Sequence, residues 1–142
     1  MITRTASATY EGFGKEGAGH VSTQSGVLSG NPYGFNTRFG DTPGTNPEEL
    51  LAAAHAACFT MALSFALAGE GFTGGSLSTT AAVKLDKEGE GFKISRSDLV
   101  LTATVPGIDA EKFAEIAAGA KANCPVSKLF NAEITLEHSL TN

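Results

Sequence analysis

The chain has 142 residues, of which 42% are hydrophobic and 18% charged, a balance that excludes a disordered, collagen-like or coiled-coil polypeptide. Its 10 Lys and Arg against 15 Asp and Glu give a net charge of −5, which argues against nucleic acid or an anionic membrane surface as a partner. Two cysteines are too few for a disulfide framework or for a zinc site made of cysteine alone.

One domain over residues 1–142 is expected at this length. The first residues, Met1-Ile2-Thr3-Arg4-Thr5, hold no apolar run, so no signal peptide is expected and the chain reads as cytoplasmic. Ile2 to Tyr10 and His20 to Leu28 read as strands, separated by a turn rich in glycine from Gly12 to Gly19. Tyr33 to Phe39 reads as a third strand, with Tyr33, Phe35, Thr37 and Phe39 on one face and Gly34, Asn36 and Arg38 on the other. Three strands with short connections predict an antiparallel meander.

The clearest helix start follows the loop from Asp41. Asn46 suits an N-cap, Pro47 suits the first helical position, and Glu49 completes an Asn-x-x-Glu capping box. This helix stops at Gly69 or Gly71. It is apolar nearly all round, which predicts a core helix wrapped by other elements, part of the cover coming from a second copy. About 19 apolar residues approach the length of a membrane span, but His55, Thr60 and Ser64 interrupt them, and the core helix is the favoured reading.

Ser76 to Asp86 and Phe92 to Val105 read as a hairpin turning at Lys87 to Gly91. Asp109 caps a helix through Lys121, a short helix follows over Val126 to Phe130, and Ala132 to Leu140 is a last strand. The order of elements predicts the α+β class.

Few residues could carry chemistry. Cys58, in mid-helix between Ala57 and Phe59, is by default a small buried hydrophobe. Cys124 precedes Pro125 and so falls at the N-cap of the short helix, where a thiolate is stabilised. If the two sulfurs meet, one can be oxidised to a sulfenic acid and the other can close a disulfide on it. That chemistry needs a cation beside the first sulfur, and among Arg4, Arg38 and Arg96 the best placed is Arg38, just before the helix. Glu48 and Glu49 are the nearest carboxylates to hold it, although both also suit a helix first turn. Glu48 and Cys58 lie ten residues apart on one helix, about 15 Å, so they share a site only if the helix pairs with its symmetry mate. His55, one turn before Cys58, could join Cys58 and Cys124 as a metal ligand, but a hydrogen-bonded core histidine is the default and no metal is expected.

Several segments resemble the OsmC/Ohr family, the osmotically inducible and organic hydroperoxide resistance proteins. They are Ser22 to Leu28, Pro32 to Phe39, Asn46-Pro47-Glu48-Glu49-Leu50, Ala53 to Phe59 and Asn123-Cys124-Pro125-Val126-Ser127. The resemblance covers essentially the whole chain. It implies an α+β OsmC-like fold with antiparallel sheets, a long buried central helix carrying the first cysteine, and an intertwined homodimer with two interface sites. It further implies a thiol-dependent peroxidase acting on organic hydroperoxides in stress defence, with no cofactor and an external dithiol as reductant. Matched residue by residue, Cys58 corresponds to the peroxidatic cysteine, Cys124 to the resolving cysteine, Glu48 to the catalytic glutamate and Arg38 to the arginine of the OsmC branch. Residues 11–22 contain no arginine, where the Ohr branch would carry one. Phe35, Phe39, Phe59 and Met61 are expected to form the apolar walls for the alkyl group. The competing reading is a redox-responsive dimer that binds a small apolar ligand without turnover.

Overall fold

The computed structural model describes residues 1–142. It places two compact units along the chain, Met1–Leu50 and Leu51–Asn142.

The first unit is built on a three-stranded antiparallel sheet. Strand β1 (Ala6–Glu11) pairs with β2 (Ala18–Thr23), and β2 pairs with the short β3 (Asn31–Tyr33). The meander is therefore present. The predicted third strand is not: the chain leaves the sheet at Tyr33 and forms a short helix, α1 (Phe35–Phe39). The reason is local. The Thr37 hydroxyl accepts from the Gly34 N–H at 2.8 Å and donates to the Gly34 carbonyl at 3.0 Å, closing a turn in place of ladder bonds. Phe35 and Phe39 then stand one helical turn apart, with ring centroids 5.0 Å from each other.

Helix α2 (Pro47–Gly69) begins where its sequence signals place it. Asn46 Oδ1 accepts the Glu49 N–H at 2.8 Å, which is one half of the expected capping box. The other half is absent, because Glu49 turns its carboxylate to the Thr45 hydroxyl at 2.8 Å. The C-terminal end is a Schellman turn: Phe72 N–H reaches Leu67 O at 3.0 Å, Gly71 N–H reaches Ala68 O at 3.0 Å, and Gly71 supplies the positive φ of 93° that this ending requires.

The second unit is a three-stranded sheet covered by helices. Strands β4 (Ser76–Glu88) and β5 (Gly91–Thr104) form the expected hairpin around Gly89 and Glu90. Helices α3 (Ala110–Asn123) and α4 (Pro125–Leu129) then carry the chain back to β6 (Glu133–Thr141). β6 pairs with β5 in parallel, from Arg96↔Glu133 to Thr104↔Thr141, so this sheet is mixed where an antiparallel one was expected. The cause is the helical crossover, which returns the chain to the starting end of β5.

The core of this unit follows two periodicities. Ser97, Leu99, Leu101 and Ala103 alternate inward along β5. His55, Phe59, Leu63 and Leu67 recur every fourth residue on α2 and are buried together. Phe113, Ala117 and Ala120 of α3 close the cluster.

Within a single chain the rest of α2 is left open, the face for which a second copy is the expected cover. Met61 is 62% exposed and Phe65 72% exposed, so one apolar stripe is covered and much of the helix is not. α2 is also long and apolar enough, by length and composition, to cross a membrane.

Candidate active site

Two groups of functional side chains stand out, one in each unit. In the first, Arg38 lies in the last turn of α1 and Glu48 in the first turn of α2. Asn46 of the α2 cap ties these ends together by donating to the Thr37 carbonyl at 3.1 Å. Arg38 Nε donates to Glu48 Oε1 at 3.0 Å and Oε2 at 3.2 Å, and Nη2 donates to Oε1 at 2.6 Å. This forked contact fixes the guanidinium plane as well as its position. Glu48 is buried, whereas the Arg38 side chain is 37% exposed. No hydrogen bond within the chain engages Arg38 Nη1, so part of the fork is available to a ligand.

The surroundings of that guanidinium are aromatic. Arg38 lies 5.5 Å from the Phe39 ring centroid, and Lys15 lies 4.9 Å from that of Phe35. Phe35, Arg38 and Phe39, with Tyr10, Tyr33 and Pro47, line a cavity of about 390 Å³. An apolar cavity with one fixed cationic fork in its wall suits a small ligand with an alkyl body and a polar end.

In the second unit, the half-buried Cys58 of α2 meets the buried Cys124 at the junction of α3 and α4. The expected N-cap position of Cys124 is present. The sulfurs share a hydrogen bond and are reduced. Burial pushes the Cys58 thiol up, and the hydrogen bond with Cys124 pushes it further. The Val126 backbone N–H opposes both without reversing them. Burial also pushes Cys124 up, but this is outweighed. Hydrogen bonds from Cys58, from the Ser127 N–H and hydroxyl, and from the Val126 N–H leave Cys124 below the ordinary thiol range.

His55 is fully buried beneath this pair. Its Nδ1 is 2.7 Å from Ser97 Oγ on β5, and its Nε2 is 2.8 Å from Ser127 Oγ on α4. The Phe130 ring packs edge-on against it at 5.0 Å. Burial lowers its pKa, so the imidazole is neutral at pH 7. His55 is thus the hydrogen-bonded core histidine expected by default. The residues described contain no cluster of three or more His, Cys, Asp or Glu able to hold a metal.

The structure therefore brings Arg38 to Glu48, Phe35 to Phe39, and Cys58 to Cys124. Phe59 is placed differently from the expected ligand wall. It is 0% exposed in the core of the second unit, because it lies on the buried stripe of α2 one residue round from Cys58. Met61 is on the open side of the same helix. The pairing of Ser97 and Ser127 with His55 was not foreseen from the sequence. They lie 42 and 72 positions from His55, and serine alone carries no signal for such pairing.

A family model described as OsmC-like protein matches residues 39–139. The chain is 55% identical over 139 residues to Peroxiredoxin OsmC of Escherichia coli (strain K12), a match covering 98% of this chain and 97% of that protein. It is 33% identical over 140 residues to Organic hydroperoxide resistance protein OhrB of Bacillus subtilis (strain 168), covering 96% and 98%. The crystal structure of OhrB of Bacillus subtilis superposes with a TM-score of 0.67 at 30% identity, over 96% of this chain and 98% of that one. The likeness holds in sequence and in fold and runs nearly end to end, and the chain belongs to the OsmC-like protein family.

Proposed function

We propose that this chain, working as one OsmC-like domain, is a thiol-dependent peroxidase that reduces organic hydroperoxides to alcohols and, less efficiently, hydrogen peroxide to water. The observation that carries the reading is the contact between the half-buried Cys58 and the buried Cys124. One thiol can be reached by an oxidant, and the second is already in place to close on it. The names of the relatives, a peroxiredoxin and an organic hydroperoxide resistance protein, support the same chemistry.

The reaction runs in two halves. The Cys58 thiolate attacks one peroxide oxygen, the O–O bond breaks, and the alkoxide leaves as alcohol after taking a proton. Cys58 is then a sulfenic acid. The Cys124 thiolate attacks that sulfur, an S–S bond forms, and the S–O bond breaks to release water. An external dithiol reduces the disulfide by exchange and is itself oxidised.

Cys58 needs help to ionise, since burial and Cys124 both hold its thiol up. The cation in this reading is Arg38, donating to the thiolate and to the peroxide oxygen while Glu48 holds it still. Phe35, Phe39 and Met61 receive the alkyl group, and Phe59 supports the helix from the core. Glu48 and Cys58 lie about 15 Å apart along α2, so the complete site draws on two copies of the chain. The exposed Met61 and Phe65 of α2 support an intertwined homodimer, which would cover them. A compartment that keeps thiols reduced, such as the cytoplasm, suits the cycle, and oxidative or osmotic stress defence suits the substrate.

The test is turnover with excess cumene hydroperoxide and dithiothreitol. The expected result is many equivalents of peroxide consumed per chain, faster than with hydrogen peroxide. Consumption that stops at one equivalent despite the dithiol would instead indicate a redox-responsive binding protein.

A further inference from the structure

We infer that His55 acts through the Ser127 hydroxyl as a positioning residue for Cys124, aiming a proton at its sulfur so that it can close the disulfide. The inference rests on the reading of Cys124 as the resolving thiol.

The argument begins with an unbroken line of buried polar groups. Ser97 on β5 meets His55 on α2, His55 meets Ser127 on α4, and Ser127 meets Cys124 at the head of α4. Ser97, His55 and Cys124 are each 0% exposed, and Ser127 is 8% exposed. Polar groups in a core are costly unless satisfied, and no buried side-chain nitrogen or oxygen here lacks a partner.

The direction of the line follows from counting protons. A neutral imidazole has one N–H and one acceptor nitrogen. Ser127 has one hydroxyl proton, and Cys124 receives it. Ser127 Oγ must then accept from His55 Nε2–H across 2.8 Å. Nδ1 is left as the acceptor, and Ser97 donates to it across 2.7 Å. Each group in the line accepts from one neighbour and donates to the next, ending on sulfur. The opposite tautomer would turn the Ser127 proton toward Nε2 and take a donor from Cys124.

That donor matters to one half-reaction. Cys124 must be a thiolate to attack the Cys58 sulfenic acid, and a hydrogen bond to the charged sulfur favours that form. It gives Cys58 no comparable help: the more Cys124 is held as a thiolate, the more the neighbouring Cys58 thiol is pushed up, so losing this donor should not slow peroxide attack. The titratable groups facing Cys124 are Cys58 and, through Ser127, His55, both from α2. The half-buried Lys121 of α3 and the exposed Lys128 of α4 lie three residues before it and four after.

The experiment is a thiolate titration of Cys124 by ultraviolet absorbance in a Cys58→Ser background. Ser127→Ala and His55→Leu are each expected to raise the Cys124 pKa by about one unit, and His55→Gln, which keeps an N–H donor near the Nε2 position, is expected to restore it. With Cys58 present, single-turnover oxidation of Ser127→Ala should form the sulfenic acid no more slowly than in the unaltered chain. The disulfide should close about threefold more slowly, a tenfold smaller thiolate fraction being partly offset by a more nucleophilic sulfur. Ser127→Ala is the smaller change and keeps the test valid if His55→Leu fails to fold. An unchanged Cys124 titration in folded Ser127→Ala overturns the inference. A shifted titration with no disulfide formed by peroxide in the unaltered chain overturns the peroxidase reading and leaves the hydrogen-bond line standing.

Discussion

Replacing Cys58 with serine is expected to lower the rate of organic hydroperoxide consumption by roughly 10⁴-fold or more, the scale on which loss of an enzyme nucleophile acts. A serine hydroxyl fits the same half-buried position on α2, so the fold should be kept. What is lost is a sulfur that can act as a thiolate once a cation helps it ionise and can carry an oxygen atom as a sulfenic acid. Cys124→Ser should behave differently, consuming the first equivalent of peroxide at a normal rate and stalling as the sulfenic acid. The pair of variants assigns the order of the two cysteines, which adjacency alone does not. In the resting chain the hydrogen bonds converge on Cys124 and leave the Cys58 thiol raised. If Cys58→Ser kept a tenth of the activity and Cys124→Ser lost it all, the roles would be reversed.

The second large effect is expected at Arg38. Arg38→Ala should slow the peroxide-dependent step by about 10²–10³-fold, as removal of a fixed donor to developing charge does in other enzymes. Disulfide closure, once the sulfenic acid exists, should be little changed, because the donors to Cys124 are Val126, Ser127 and Cys58. Arg38→Lys should recover little of the loss. Glu48 takes two nitrogens of a planar fork and leaves Nη1 free, and an ammonium cannot satisfy the carboxylate and reach a ligand in one fixed geometry. Stopped-flow oxidation of the reduced protein separates the two steps, and equal slowing of both would show that Arg38 acts on the fold and not on the peroxide.

Parts of this account were legible in the sequence because they are local. Asn46, Pro47 and the following carboxylates marked the start of α2, and Asp109 and Pro125 marked the next two helices; the structure has caps or first turns at all three. The pairing of Arg38 with Glu48 was foreseeable because each stands at a neighbouring element end. Helix α1 was not. A spacing of four between Phe35 and Phe39 fits two strand periods as well as one helical turn, and the deciding contact is a single Thr37 hydroxyl bonded to Gly34. The parallel pairing of β6 depends on where two helices deliver the chain, which no periodicity records. Phe59 is expected from the sequence to be part of the ligand wall, yet it faces about 100° away from its neighbour Cys58, on the inward stripe of His55, Phe59, Leu63 and Leu67. The serine partners of His55 come from distant strands and helices and became visible only in the fold.

The most direct test of the central claim is the intact mass of the reduced protein before and after one equivalent of an alkyl hydroperoxide, without added thiol. The account predicts the loss of two hydrogens, with peptide mapping placing a single bond between Cys58 and Cys124 and the peroxide converted to alcohol. An unchanged mass with the peroxide still present would contradict it and return both cysteines to a packing role.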